Sequence, residues 1–346
     1  MDNVKMDGSV ISEGSVSEAS LDIAREEREK LLKVLSGSLE NLPALGSKIV
    51  RIFTSSTFTD TTLERNALME NVYPRLKEEL RETYGLEFQV VDMRWGVRDE
   101  ATDDHMTTHL CMKEIENCQR LSVGPNFVVF LGQKYGYRPL PTHILATEFE
   151  MLRECVRNTP GELELLDTWY KKDENAVPAV YGLQPISSIL KHFNSKRIKQ
   201  RHEEDQATWW ETFTKLQRIV RKAAQVLFIT KKIDREDMHN YFMSVTEREV
   251  EKGILKANEI HDHCLAYIRD INNINTTPHV LRFASKFVDF AARNVDGEAQ
   301  KLLKALRDDK LPRKMPDANL VRFEVEWSGK EGNRQRYAFR LFTAIL

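Results

Sequence analysis

The sequence has few cysteines and no long apolar run. Four cysteines occur in 346 residues, and their spacings match neither a zinc ribbon nor a disulfide framework: they are Cys111, Cys118, Cys155 and Cys264. We therefore expect reduced thiols and a cytoplasmic location. No apolar run approaches the roughly 20 residues that a membrane-spanning helix needs, so membrane insertion is not expected.

The charge is balanced rather than biased toward one sign. Lys and Arg total 51, Asp and Glu total 53, and the formal net charge is -2. A chain without a basic surplus has no general attraction to nucleic acid or to anionic lipid. Nucleic acid is therefore not an expected partner.

Common motifs for catalysis and cofactor binding are missing. No G-x-x-x-x-G-K-[ST] sequence occurs, no G-x-G-x-x-G follows a predicted strand, and neither H-E-x-x-H nor G-x-S-x-G is found. His105 and His109 could share a helix face, and His261 and His263 lie near Cys264, but neither group has a matching second pair of ligands. We therefore expect no metal and no cofactor in this chain.

Short apolar runs separated by helical patterns are what the sequence does contain. Nearly continuous apolar runs are typical of parallel strands that are covered on both faces. They predict strands near residues 49–54, 87–92, 126–132, 264–269 and 321–327. Because helical patterns alternate with these runs, we predict an α/β fold with a five-stranded parallel sheet flanked by helices.

The strand–helix alternation lapses in the middle of the chain. The stretch that interrupts it is charged, helix-forming and contains Trp169, Trp209 and Trp210, so we predict a large, mainly helical insertion after the third strand. The first residues are acidic and rich in Ser and Gly, which is typical of disorder. The predicted divisions are a disordered tail (1–20), a short helix and linker (21–48), a discontinuous α/β domain (49–142 and 244–346) that ends in a helix at 336–346, and the helical insertion (143–243).

A helix is predicted between the first two strands, from Thr61 to Tyr84. Thr61-x-x-Glu64 predicts a capping box at its start, and Gly85 predicts its end. Pro74 lies inside the pattern and should kink or divide the helix.

Polar residues occur where the predicted strands end. Ligands of open parallel sheets bind beyond the carboxyl ends of the strands, so these side chains are candidates to line a pocket for a nucleotide-like ligand. Alternatively they organise their loops, since Ser and Thr often cap helices and Asp92 could pair with Arg94. The candidates are Ser55, Ser56, Thr57, Asp60, Glu64, Arg65, Asp92, Arg94, Trp95 and Tyr135, with Lys134 and Tyr137 beside the last of them.

Two glutamates are candidates for catalysis. Glu247 lies early in the helix that follows the third strand once the insertion is skipped, where a carboxylate could stabilise an oxocarbenium-like centre. Glu148 has a similar local pattern and ranks lower because it falls at the start of the insertion. The structural alternative is that Ser244-x-x-Glu247 is a capping box. Cys111 and Cys118 are expected to be core thiols rather than nucleophiles.

Five segments, in order along the chain, carry a family resemblance. They are Arg51-Ile-Phe-Thr-Ser-Ser-Thr-Phe-Thr-Asp60, Glu64-Arg65-Asn66, Val91-Asp-Met-Arg-Trp-Gly-Val97, Leu131-Gly-Gln-Lys-Tyr-Gly-Tyr137 and Ser244-Val-Thr-Glu-Arg-Glu249. They resemble the N-terminal domain of the NACHT and WD-repeat domain protein family, and related segments occur in telomerase-associated and nephrocystin-like proteins. The resemblance implies a TIR-like fold that precedes a nucleotide-switching NACHT module and a WD-repeat propeller.

TIR domains act either by homotypic protein contacts or by cleaving NAD with a glutamate in the helix after the third strand. By this resemblance Glu247 is the matching position, although Met243-Ser244 stands where the NAD-cleaving class often has Trp-Cys. The resemblance implies an effector or scaffold domain of a cytoplasmic NACHT-type (STAND) signalling protein, with protein partners and self-association.

Two alternatives remain: NAD cleavage by Glu247, and a passive spacer before the switch module. An open polar cleft with Glu247 inside favours the enzyme, and a filled one favours the scaffold.

Overall fold

The computed structural model describes residues 48–94, 102–195, 198–291 and 293–327, with a few isolated positions among residues 28–36. The chain divides into two compact units, residues 1–47 and residues 48–346, and the sheet, the cores and the candidate site all lie in the second. The predicted tail at 1–20, most of the predicted helix and linker at 21–48, Trp95 and the predicted last helix at 336–346 lie outside the described residues.

Strands and helices alternate along most of the described chain. The strands are β1 (Ile49–Ser56), β2 (Glu87–Val91), β3 (Phe127–Leu131), β4 (His143–Leu145), β5 (Tyr170–Asp173), β6 (Val180–Leu183), β7 (Cys264–Asn272), β8 (Phe290–Ala291), β9 (Asn294–Val295) and β10 (Leu320–Glu326). The α-helices are α1 (Thr62–Ala67), α2 (Tyr73–Tyr84), α3 (Thr107–Leu121), α4 (Ala146–Val156), α5 (Pro160–Trp169), α6 (Ile186–Ile189), α7 (Lys199–Ile229), α8 (Arg235–Asn240), α9 (Val245–Val250), α10 (Ile260–His263), α11 (Leu281–Ala284), α12 (Gly297–Lys304) and α13 (Leu311–Lys314). Turns of π-helix continue α1, α9 and α12 at Leu68–Val72, Glu251–Leu255 and Ala305–Lys310.

A five-stranded sheet in the order β10-β7-β3-β1-β2 forms the centre, and all its neighbouring strands are parallel. This confirms the predicted fold class, and each strand lies close to its predicted position. The order, with β2 on one side of β1 and the later strands on the other, is that of flavodoxin-like sheets. The carboxyl ends of the five strands therefore meet at one edge, which we call the strand-end edge.

The two faces of the sheet carry separate cores, because alternate residues of a strand point to opposite sides. One, called the α3 face, includes Phe53, Cys111, Ile115, Cys118, Phe127, Val129, Leu131, Val250, Ile254, Cys264, Ala266, Ile268, Leu306, Leu311 and Met315. The other, called the α2 face, includes Val50, Ile52, Leu68, Val72, Phe88, Val128, Phe130 and Tyr267. Every residue of β3 is buried, which explains why this strand is an unbroken apolar run.

The helix predicted between the first two strands is divided, as expected. α1 leads into the π-helical turn, and α2 begins at Tyr73 with Pro74 in its first turn. A proline has no N–H to donate to a helical hydrogen bond, and the regular α-helical pattern is replaced by a π-helical turn just before it. Gly85 ends α2 with a φ of 64°, a conformation that glycine adopts without steric cost.

The chain between β3 and β7 is mainly helical, as predicted, and also forms a small antiparallel sheet in the order β4-β6-β5. The sequence pattern did not predict this sheet, since strands of 3 or 4 residues are too short to show an alternating pattern. The region has a core of its own that runs from Leu140 to Phe242 and is built largely on α4 and α7. The exact domain boundary at 143–243 stays a prediction. None of the helices in the described ranges combines the length and the apolar character needed to cross a membrane.

Candidate functional site

The strand-end edge brings most of the predicted site residues together, but in two groups on opposite faces of the sheet. Thr54 of β1 has the same side-chain direction as Ile52 and lies on the α2 face, whereas Ser55 lies with Phe53 on the α3 face. We call the group on the α2 face the Arg269 cluster and the group on the α3 face the Glu247 cluster.

Two carboxylates surround a buried arginine in the Arg269 cluster. Arg269 Nη1 donates to Glu64 Oε1, Arg269 Nη2 lies 3.8 Å from Asp60 Oδ2, and Thr57 Oγ1 donates to Asp60 Oδ1. Asp60 is 2% exposed, and Glu64 and Arg269 are each 5% exposed. Burial raises the pKa of Asp60 to about 7, although Arg269 and Thr57 act to lower it.

Arg65, Asp92 and Arg94 form the second part of this cluster. Arg65 Nη2 donates to the Thr54 carbonyl oxygen and lies 3.2 Å from Asp92 Oδ1. Arg94 Nε donates to Asp92 Oδ2 at 3.0 Å, so the predicted pairing of these two residues is confirmed. Burial lowers the pKa of Arg65, and Asp92 opposes that effect.

The predicted capping box at Thr61 is wrong. The Thr61 hydroxyl makes no cap hydrogen bond and instead donates to the Thr57 carbonyl oxygen at 2.7 Å. The Glu64 carboxylate turns away from the helix start and pairs with Arg269. A buried guanidinium needs an opposite charge more than a helix start needs a second cap, because an unpaired buried charge costs several kcal/mol or more.

A close approach at Gly132, directly after β3, makes room for this cluster. A Cβ at this position would overlap the Asp60 carboxylate and would lie 2.8 Å from Arg269 Nη2. Glycine is therefore required here by packing against charged groups rather than by its backbone angles.

Glu247 is the centre of the second cluster, on the α3 face. Tyr135 Oη donates to Glu247 Oε2, Lys310 Nζ donates to Glu247 Oε1 at 2.8 Å, and His239 Nε2 lies 3.1 Å from the same oxygen. The residue is 1% exposed. Burial acts to raise the pKa of Glu247, but the hydrogen bonds from His239, Lys310 and Tyr135 outweigh it and lower the pKa to about 2.

The predicted capping box at Ser244 is half formed. The Glu247 N–H donates to Ser244 Oγ at 3.1 Å, so Ser244 is the N-cap of α9. The Ser244 N–H, however, donates to Tyr135 Oη at 3.2 Å rather than to the Glu247 carboxylate. Tyr135 thus occupies the place that the glutamate side chain takes in a capping box.

Glu249 is a functional candidate that sequence reasoning missed. It accepts a hydrogen bond of 2.6 Å from Ser55 Oγ and is 6% exposed. Burial raises its pKa, and hydrogen bonds from Ser55 and Cys111 together with the charge of Arg65 oppose that effect. One signal was available: Glu249 follows the apolar Val245 by four residues, so the two side chains share a helix face, and Val245 packs against the core of the α3 face.

Glu148 belongs to neither cluster. It accepts a hydrogen bond of 2.6 Å from Tyr241 Oη and lines a separate half-open pocket of about 570 Å³ that also includes Asp237 and Arg248. The two residues named beside Tyr135 lie outside the clusters as well. Lys134 Nζ donates to the Ser285 carbonyl oxygen, and Tyr137 stacks on Phe213.

The histidine and cysteine positions do not form a catalytic or metal-binding arrangement in the described residues. No group of three or more His, Cys, Asp or Glu side chains in those ranges could hold a metal ion. Cys111 and Cys118 are buried in the core of the α3 face, which confirms their prediction as core thiols. Burial raises the pKa of Cys118 to about 11 and also raises that of Cys111.

The carboxylates at the strand-end edge are therefore already engaged with groups of this chain. Glu64 is paired with Arg269, Asp92 with Arg65 and Arg94, Glu247 with Lys310, and Glu249 with Ser55. With a pKa of about 2, Glu247 is ionised at neutral pH and cannot act as an acid. Among the described candidates, Arg65, Asp92 and Arg94 join the loop after β2 to α1, and the ligand pocket stays a prediction.

Comparison with known proteins gives the family. The model described as "Domain of unknown function (DUF4062)" matches residues 51–227, about half of the chain. NACHT and WD repeat domain-containing protein 2 of Homo sapiens is 36% identical over 293 residues, which cover 82% of this chain and 17% of that protein. NACHT domain- and WD repeat-containing protein 1 of Mus musculus is 34% identical over 249 residues, covering 70% of this chain and 14% of that protein.

A shorter match joins the chain to a third protein. Telomerase protein component 1 of Mus musculus is 34% identical over 113 residues, covering 32% of this chain and 4% of that protein. No solved structure is significantly similar to the chain. The chain thus spans only 17% of protein 2 and 14% of protein 1. These matches confirm the resemblance to NACHT and WD-repeat proteins as homology, and the chain belongs to the family described as "Domain of unknown function (DUF4062)".

Proposed function

We propose that this chain is the N-terminal interaction domain of a cytoplasmic NACHT and WD-repeat signalling protein. In this proposal it is a TIR-like effector or scaffold that acts through protein contacts, self-association among them. The homology to NACHT and WD-repeat proteins supports placing the domain in a protein of that kind. The single observation that carries the choice of a scaffold over an enzyme is the closure of the strand-end edge around Glu247.

That closure leaves little for Glu247 to do in catalysis. An NAD-cleaving glutamate must face the substrate, yet this side chain is 1% exposed and has three partners. Its charge already balances Lys310 at 2.8 Å. A substrate would have to displace Lys310 or His239, and hydrogen bonds to a charged group are among the stronger ones in proteins.

An exposed aromatic pair supports protein contacts. Trp210 of α7 is 54% exposed and Tyr137 is 50% exposed, and their rings lie 6.3 Å apart. Tyr137 in turn stacks on the buried Phe213, with centroids 5.5 Å apart. Large aromatic side chains held rigidly at a surface are typical centres of protein interfaces.

Self-association tests the proposal directly. The apparent molecular mass measured by sedimentation or light scattering should rise with protein concentration. Trp210→Arg should weaken self-association by roughly tenfold, measured as the apparent dissociation constant, because a central interface side chain contributes about 1–2 kcal/mol or more. Thr208→Arg is the matched control, an exposed position of the same helix that points in another direction. A chain that stays monomeric and captures no NACHT or WD module supplied in trans would fit the passive spacer and reject the scaffold.

Incubation with NAD tests the enzyme alternative. The pure chain is incubated at low and at high protein concentration, and nicotinamide is measured. We expect none at either concentration. Release of nicotinamide that disappears in Glu247→Gln and persists in Glu148→Gln would reject the scaffold hypothesis in favour of the enzyme.

A further inference from the structure

A half-open pocket lies where the region between β3 and β7 meets the helices of the α3 face. Its volume is about 570 Å³, within the range of roughly 300–1,000 Å³ that is typical of small-molecule sites. Its lining comes from three parts of the chain: the start of α3, residues 139–148 with the start of α4, and residues 237–248 with parts of α8 and α9. We call it the Arg248 pocket.

Arg248 supplies the positive charge of this pocket. Its Nη2 donates to the Asn240 carbonyl oxygen, and within the described ranges no carboxylate forms an ion pair with this half-buried side chain. Burial lowers the pKa of Arg248, and Glu251 acts most strongly to raise it. A guanidinium has five N–H donors and can hold a carboxylate by two parallel hydrogen bonds. Arg248 therefore has donors left for the carboxylate of a ligand.

Two carboxylates in the same lining supply negative charge. Tyr241 Oη donates to Glu148 Oε1 at 2.6 Å, and the other Glu148 oxygen has no hydrogen-bond partner among the residues that the structure describes. Asp237 Oδ2 accepts the Asp234 N–H at 3.4 Å in the capping box of α8. Because neither carboxylate pairs with the arginine, the pocket keeps opposite charges apart, and each has capacity for a ligand.

Apolar side chains also line the pocket, namely Met106, Met112, Leu140 and Ile144. They suit an aliphatic chain, since unbranched methionine side chains adapt readily to the shape of an apolar neighbour. A ligand that matches the whole lining has a carboxylate and a cationic group joined by such a chain. Lysine and arginine, with two positive charges and one negative, are the complement of one arginine and two carboxylates. A multiply charged anion such as a nucleotide is a poor match, because it would meet two like charges.

We propose that the Arg248 pocket binds a free basic amino acid, lysine or arginine, with the α-carboxylate on Arg248 and the side-chain cation on Glu148 and Asp237. This gives the chain a small-molecule ligand in addition to the protein contacts of the proposed function. It does not rest on those contacts, and the two can fail independently.

Calorimetric titration of the pure chain with L-lysine tests the site. A pH of about 8 is used because histidine side chains are ordinarily neutral there, and His109 and His143 also line the pocket. We expect saturable binding of lysine and of arginine. Cadaverine is lysine without its carboxylate, and L-norleucine lacks the side-chain ammonium group. Each should bind roughly tenfold more weakly or less, because each loses one charge-assisted contact.

Two variants assign the two ends of the ligand. Arg248→Gln should weaken the binding of lysine roughly tenfold or more and leave that of cadaverine unchanged. Glu148→Gln, which keeps an acceptor for Tyr241, should weaken the binding of lysine and leave that of norleucine unchanged. The matched controls are Glu154→Gln and Arg157→Gln, two exposed positions outside the pocket that pair with each other. Both should bind lysine as the unmodified chain does.

Several results would overturn the proposal. One is the absence of saturable binding of lysine and arginine up to about 10 mM. Another is equal affinity for lysine, cadaverine and norleucine. Pyrophosphate that binds more tightly than lysine would indicate an anion site at Arg248 instead. If circular dichroism shows that Arg248→Gln is unfolded, the comparison of the three ligands on the unmodified chain decides by itself.

Discussion

Tyr135 and Glu247 share a buried hydrogen bond that joins the loop after β3 to the first turn of α9. The same phenolic oxygen accepts the Ser244 N–H, so a single hydroxyl satisfies both a carboxylate and a helix start. Because 112 residues separate the two partners, this contact also holds the chain segments on either side of the α4–α8 region together. The relationship explains why Glu247 is anchored rather than available.

Glu247→Gln should reduce the free energy of unfolding by about 2–3 kcal/mol. A helix-capping role alone predicts a loss of about 1 kcal/mol or less, but the carboxylate also accepts bonds from Tyr135 and Lys310, and hydrogen bonds to charged groups are worth more. Urea unfolding at neutral pH measures the change. Glu148→Gln is the control and should cost less than about 1 kcal/mol, since a glutamine oxygen can still accept from Tyr241. Equal losses in the two variants would contradict the anchoring role.

Tyr135→Phe should cost about 1–3 kcal/mol, because it leaves the Ser244 N–H and one Glu247 oxygen buried without this partner. Tyr181→Phe is the matched control: its hydroxyl also donates to a glutamate, Glu150, but at the exposed surface. The control should lose less than about 0.5 kcal/mol. Chemical denaturation of both variants measures the difference, and a Tyr135 variant as stable as the control would show that the buried bond contributes nothing.

Asp60 should make stability fall as the pH rises toward neutral. Burial raises its pKa from 3.8 to about 7, so the folded chain holds this proton more tightly than the unfolded chain. Its contribution is complete below about pH 4 and is lost as the pH rises through 7. The free energy of unfolding of the wild type minus that of Asp60→Asn should therefore decrease between pH 4 and 7, by at most about 1.4 kcal/mol per pH unit. A difference that stays constant over this range would mean that Asp60 keeps an ordinary pKa.

Gly132→Ala should destabilise the chain by about 2 kcal/mol or more, since its methyl group would overlap the Asp60 carboxylate and crowd Arg269. Gly161→Ala is the control: no atom lies within 4 Å of a Cβ there, and the residue is in α5. Alanine favours a helix over glycine by roughly 0.5–1 kcal/mol, so the control should be as stable as the wild type or slightly more so. Thermal unfolding should give a lower melting temperature for Gly132→Ala than for the wild type, and an equal or higher one for Gly161→Ala.

Local sequence determined the elements of the sheet. β3 is buried along its whole length, so it had to be a continuous apolar run, and that run is visible without knowledge of the fold. Pro74 and Gly85 likewise act through their own covalent geometry, and the helix divides and ends where they stand. The short strands β4, β5 and β6 were not predictable, because 3 or 4 residues are too few to show the alternation of apolar and polar side chains that marks a strand.

The site depended on partners that are distant in sequence. Thr61-x-x-Glu64 is a valid capping pattern, but Arg269, 205 residues from Glu64, takes the carboxylate instead. Ser55 and Glu249 meet across 194 residues, and neither position alone predicts the other. A sequence pattern reports the preferences of a short segment. The pairing of buried charges is decided instead by which side chains the fold brings within a few ångströms, in a medium where an unpaired charge is costly. The sequence thus indicated many of the residues that gather at the strand-end edge, whereas only the tertiary structure decided that Arg269, Lys310 and Glu249 would join them and which side chains would pair.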